Sequence, residues 1–238
     1  MNRAAIVAVA SFAMCSFFAS YSTAAEPLQL ASATVSFSKY ADPRTTYHTY
    51  IEAVRRCHPQ IAARCWTIDD DNKSGALDTL VGMWIAPRRV TRLAELRFGE
   101  AGLKMMGGWK REDVSDASLD LTKQRLADAE VTIAGDTAEL IINWQEGDGY
   151  PNEAFEFSKE AINFRKVKGE WKLDANKQTG IKTGADFFKP GGWGNMFREQ
   201  VNLMNQVSDA IETGELMTEQ QLSKYLETKL AEVMRKYK

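Results

Sequence analysis

The sequence predicts an α+β fold, with N-terminal helices packed on a curved antiparallel sheet and a helical hairpin at the C-terminal end. Three observations carry this. Apolar residues recur at three- and four-residue spacing up to about Gly107. Between Ala129 and Leu173 the period falls to two, broken by tight-turn residues. Beyond about residue 195 the helical period returns.

The chain opens with an export signal. Arg3 supplies the positive start, Ala4 to Ala19 the apolar stretch, and Thr23-Ala24-Ala25 a small-x-small cleavage site before Glu26-Pro27. Cys15 raises the alternative of a lipid attachment site, but bulky Met14 precedes it and Phe17 and Phe18 prolong the apolar stretch, which favours simple cleavage. The expected location is periplasmic or secreted. Cleavage at Ala25 would leave 213 of the 238 residues, enough for one domain and an accessory element. The formal net charge of −2 falls to −3 with the loss of Arg3, which argues against a nucleic-acid partner. No later apolar run approaches the length of a membrane span.

The mature chain keeps Cys57 and Cys65, and two cysteines in an exported protein predict one disulfide, with two buried thiols as the alternative. Residues 26 to 40 read as a lead-in. A domain is expected over 41–186, and a connector with a helical hairpin over 187–238. Asp42-Pro43 starts the first helix, Asp as cap and Pro at the first helical position, and Tyr47, Tyr50, Ile51 and Val54 stripe it to about Cys57. Pro59 ends it, and a short helix through Ile61 and Cys65 follows. Leu77, Leu80, Val81 and Trp84 mark a third helix stopped near Pro87, and Val90, Leu93 and Leu96 a fourth.

Ala129, Val131 and Ile133 alternate with polar residues, Gly135-Asp136 turns the chain, and Thr137 to Trp144 returns. A run from Phe155 to Val167 changes its apolar phase near Lys159-Glu160, where a bulge or break is expected. Lys168-Gly169 turns into Trp171 and Leu173. Near the C-terminus, Phe197, Val201, Met204 and Ile211 stripe one helix. Thr218 and Gln221 form a capping box for another, striped by Leu222, Leu226, Leu230 and Val233.

This order of elements resembles the nuclear transport factor 2-like superfamily, a cone-shaped α+β fold. The likeness covers about residues 40 to 175. It rests on the opening helix from Asp42 to Val54, the hairpin from Ala134 to Leu140, and the closing strand Gly169-Glu170-Trp171-Lys172-Leu173-Asp174. The resemblance implies a cone lined by the first helix and the sheet. Its ketosteroid-isomerase-like members use a carboxylate or histidine in the cone as a base and a tyrosine or protonated acid to stabilise the oxyanion. No residue here matches a motif that fixes such a role. The superfamily also contains non-catalytic binding modules, so fold alone leaves function open.

Residues placed to face a pocket are Tyr47, His48, Tyr50, Asn143, Asn163 and Trp171, with Glu139 as a possible base that would ordinarily be a solvated face residue. Asp70, Asn72, Ser74 and Asp78 match positions one, three, five and nine of a calcium loop, but Val81 stands where the bidentate glutamate belongs, so an acidic turn is the simpler reading. Two histidines and the cysteine pair offer no zinc site. Arg88, Arg89, Arg92 and Arg97 read as a solvated helix face balanced by Glu95 and Glu100. Trp193, among glycines, offers a stacking platform for a sugar or partner, but a tryptophan pinning the connector to the core is the simpler reading. No phosphate loop, dinucleotide fingerprint or serine-hydrolase elbow is present, and no cofactor is expected. The expected function is non-catalytic binding of a small apolar ligand or a protein partner, or self-association through 195–237. The alternative is an isomerase- or dehydratase-type enzyme using a carboxylate inside the cone.

Overall fold

A computed structural model describes residues 40–69, 75–105, 116–144, 159–180, 182–189 and 193–236. The expected leader and its expected cleavage site lie outside them. Among the described residues, no helix is long and apolar enough to cross a membrane. These residues divide into two compact units, one drawn from 40–85 and 116–201, the other from 86–105 and 202–236.

The larger unit is α+β. Helix α1 (Pro43–Arg55) begins where the sequence places it: the Asp42 carboxylate accepts from the Thr45 amide at 3.0 Å, with Pro43 at the first position. Helix α2 (Pro59–Arg64) follows, then β1 (Trp66–Thr67). Four antiparallel strands complete the sheet: β2 (Glu130–Ala134), β3 (Thr137–Asn143), β4 (Lys159–Val167) and β5 (Glu170–Asp174). The strand order is β1-β5-β4-β3-β2, with β1 parallel to β5. Strand β1 is an addition to the predicted meander. Two residues carry no periodicity; Trp66 pairs with Leu173 and Thr67 with Asp174, and the amide of Leu173 donates to the Cys65 carbonyl at 2.8 Å. Strand β4 pairs regularly from Lys159 onward, opposite Asn143; the apolar run upstream of it lies outside the described residues.

Alternation assigns the faces. Ala138, Leu140 and Ile142 of β3 oppose Phe164, Ile162 and Glu160 of β4. Leu140, Ile142, Ile162, Phe164 and Leu173 are at most 1% exposed and share a core with Tyr47, Tyr50, Ile51 and Val54 of α1. Each such side chain contributes about 1.5–3 kcal/mol by leaving water. The opposite face carries exposed Glu139 and Asn143.

Helix α3 (Ala76–Phe98) corrects the expectation of two helices divided at Pro87: it runs through the proline without a break. An interior proline costs roughly 3 kcal/mol through its missing hydrogen bond and ring clash. Burial on both sides outweighs this. Val81 and Ile85 enter the sheet core, and Val90, Leu93 and Ala94 enter the core of the smaller unit, all at most 3% exposed. Gly99, at φ +64°, ends the helix.

Helix α4 (Glu100–Met105) and helix α5 (Asp116–Ala127) follow. After β5 come α6 (Ala175–Thr179), α7 (Gly184–Phe187), α8 (Gly194–Glu212) and α9 (Glu219–Lys236). In the smaller unit, Leu203, Val207 and Ile211 of α8 join Leu222, Leu226 and Val233 of α9 around Val90 and Leu93. The capping box forms as read from sequence: the Gln221 amide donates to Thr218 Oγ1 at 3.2 Å, and the Thr218 amide to Gln221 Oε1 at 3.0 Å.

The arginines of α3 also depart from expectation, because they do not form a solvated face. Arg88 is buried, Arg89 pairs with Asp209 at 2.9 Å and with Glu212, and Arg97 donates to the Ile211 carbonyl at 3.1 Å. Spacing along one helix cannot reveal that α8 supplies the partners.

Candidate functional site

The helix-facing side of the sheet ends in a polar cluster. Extending the inward positions of β3 past Ile142 reaches Trp144, and extending those of β4 back past Ile162 reaches Glu160. Tyr47 of α1 lies across from them. Trp144 Nε1 donates to Glu160 Oε2 at 2.9 Å, and Tyr47 Oη donates to the same oxygen at 3.2 Å. A half-buried carboxylate is thus fixed by two aromatic donors at the rim of an apolar core. Chemically, such a group can accept a ligand's hydrogen bond or remove a proton from a carbon acid. Sequence reading placed Glu160 at a strand break and so missed it. The signal that finds it is its parity with Ile162 and Phe164.

Of the predicted pocket residues, Tyr47 meets this carboxylate. Tyr50 packs in the core, its ring edge-on to Trp66 with centroids 5.4 Å apart, and Trp171 is 5% exposed in the same core. Asn143 and Asn163 lie on the other face of the sheet, where the Asn163 amide donates to Gln178 Oε1 at 3.2 Å. Exposed Glu139 is opposite Asn163 on that face.

His48 is half-buried, with Nε2 inaccessible and without a hydrogen-bond partner. Its charged neighbours are Glu52, Lys123, Arg55 and Asp120. Burial disfavours the imidazolium and lowers its pKa, overriding the opposing pull of Glu52. The unfolded chain then takes up a proton more readily than the folded one as pH falls below about 6.5. Stability attributable to His48 is complete above that pH and is lost as pH falls toward its folded pKa. Urea midpoints measured between pH 7.5 and pH 5 are expected to fall more steeply for the wild type than for His48→Gln; equal slopes would exclude this role.

The disulfide expected between Cys57 and Cys65 is absent: both remain thiols. Cys65 is buried in the core, its Sγ donates to the Ile61 carbonyl at 3.4 Å, and burial pushes its pKa up to about 12. Cys57 turns the chain at φ +58°. Backbone bonds hold this corner instead, with the Cys57 amide on the Val54 carbonyl at 3.2 Å and the His58 amide on that of Ala53 at 2.8 Å. Of the calcium-loop residues, Asp70, Asn72 and Ser74 lie outside the described residues, and Asp78 is exposed in the first turn of α3. Among the described residues no group of three or more His, Cys, Asp or Glu could hold a metal ion.

A second cluster surrounds the start of α8. Trp193 is 57% exposed and stacks on Phe197 with centroids 6.3 Å apart and planes 24° apart. Phe197 stacks in turn on Phe187, which meets Phe188 edge-on at 5.0 Å, and the Arg198 guanidinium lies 3.7 Å over the Phe188 ring. Gly194 permits this arrangement, because a Cβ there would fall 2.3 Å from the Phe187 carbonyl oxygen. The result is an aromatic platform with a cation at one side and a largely exposed indole at the other.

The described residues form an α+β fold with a single five-stranded mixed sheet among them. It matches no protein-family model, no curated protein and no solved structure.

Proposed function

We propose that this is an exported, non-catalytic binding domain of the nuclear transport factor 2-like type, with a cone-like sheet and a C-terminal helical hairpin. Its recognition surface is the aromatic platform of Trp193, Phe197, Phe188 and Arg198, which takes a small apolar ligand or an apolar segment of a protein partner. The observation that carries this reading is the exposure of Trp193 while it stacks on Phe197. An indole pinning a connector would be buried; one held face-on to other rings with most of its surface in water suits stacking of a ligand. The sheet interior supports the same reading. Side chains lining an open pocket are wetted, whereas Leu140, Ile142, Ile162 and Phe164 are at most 1% exposed.

A second reading rests on Glu160. A carboxylate fixed by Tyr47 and Trp144 at the rim of the core suits an isomerase- or dehydratase-type base.

Native mass spectrometry of protein exported and purified without denaturation separates the two. The platform predicts an added mass on the wild type that disappears in Trp193→Ala and persists in Glu160→Gln. The opposite pattern would move the site to Glu160, and a bare mass throughout would overturn ligand or partner retention. Trp193→Ala itself is expected to change folding stability by no more than about 0.5 kcal/mol, as for other exposed positions, which urea unfolding checks.

A further inference from the structure

Strand β2 ends the sheet, with β3 on one side and no strand on the other among the described residues. Its hairpin determines which backbone groups face outward. Ala134 pairs with Thr137 across the two-residue turn Gly135-Asp136, and the pair closing such a turn is the hydrogen-bonded one. Alternation then directs the N–H and C=O of Ala134, Thr132 and Glu130 to β3, and those of Val131 and Ile133 to the open edge. Edges are ordinarily guarded by lysine, proline or a bulge. Residues 130–134 contain no lysine or proline, pair with β3 without interruption, and carry Ile133 at 57% exposure.

We infer that this edge is a self-association surface, on which a second copy of the chain adds its own β2 antiparallel about a two-fold axis through Thr132. In that register Val131 of each copy is opposite Ile133 of the other, so all four outward N–H groups find carbonyl acceptors. Thr132 faces Thr132, a favourable cross-strand pair, and Glu130 faces Ala134, so no like charges are opposed. Val131 and Ile133 lie on the same face as Leu140 and Ala138, and pairing shields the exposed isoleucine with an apolar neighbour. Neighbouring registers are poorer. A two-fold axis at Val131 requires the carbonyl of Ala129, which Arg44 Nη2 already holds at 2.7 Å. One at Ile133 requires Gly135, which sits in the turn at φ +60°. The pairing joins two five-stranded sheets into one. The segment is short beside a standard interface of about 800 Å² per partner, so the dimer is concentration-dependent.

Sedimentation velocity of the exported, natively purified chain over a concentration series tests this. The expected result is a dimer fraction that rises with concentration in the wild type. It is lost in Thr132→Glu, which places two carboxylates at the axis, and lost in Thr132→Lys for the same reason. Mixing the two variants is expected to restore a dimer, now held by opposite charges at the axis. Circular dichroism should show both variants folded, because the Thr132 side chain is exposed. A wild type that stays monomeric at every concentration overturns the inference. So does a dimer that persists in Thr132→Glu, or a mixture that fails to pair.

Discussion

Phe164→Ala is expected to destabilise the protein by about 3–5 kcal/mol, the largest effect of any substitution considered. Phe164 is fully buried on the inward face of β4, opposite Ala138 and Leu173. Truncation removes the transfer free energy of the ring and leaves a cavity that two strands and a helix cannot close, because each is held in register by its own hydrogen bonds. Urea unfolding followed by near-ultraviolet circular dichroism measures the change. Glu139→Ala, on the exposed face of the neighbouring strand, is expected to stay within about 0.5 kcal/mol. If Phe164→Ala were equally mild, the inward face of β4 would be assigned wrongly.

The second large effect falls on Glu160. Glu160→Ala removes the acceptor shared by Tyr47 Oη and Trp144 Nε1, and is expected to cost about 2–4 kcal/mol through two lost bonds to a charged group. Glu160→Gln keeps an acceptor oxygen at the same place and is expected to cost less than about 1 kcal/mol. The pair separates structure from chemistry: under the second functional reading the glutamine variant folds but loses proton abstraction. A double-mutant cycle with Tyr47→Phe checks the contact directly, and a coupling near zero would show that the tyrosine does not depend on this carboxylate.

Local chemistry was legible wherever a few adjacent residues settle the outcome. Asp42-Pro43 starts α1 because a side-chain acceptor and a preset φ act within one turn. Gly135-Asp136 and Lys168-Gly169 turn the strands, with Gly135, Lys168 and Gly169 at positive φ, and Thr218 with Gln221 caps α9. The candidate sites were less legible. Glu160 lies where apolar alternation falters, and nothing within the strand discloses the donors arriving from α1 and from the end of β3. Trp193 was visible as a tryptophan among glycines, read as a pin, but nothing in the sequence disclosed its stacking on Phe197, the neighbouring rings at 187 and 188 or the close approach at Gly194.

Short-range sterics, capping and the two periods of helix and strand thus made the α+β class, the starts and turns of most elements and the apolar positions of β2 to β5 readable from the residues alone, although Asn143 and Asn163, read as facing a pocket, lie on the other side of the sheet. Only the tertiary structure decided that α3 passes through Pro87, that β1 joins β5, that Cys57 and Cys65 remain thiols, and that Arg89 pairs with Asp209 and Glu212. Each of those outcomes is a balance between a local preference and contacts made by residues distant in sequence. Burial on either side of a proline outweighs its local cost, and partners brought by another helix decide how a charge is paired.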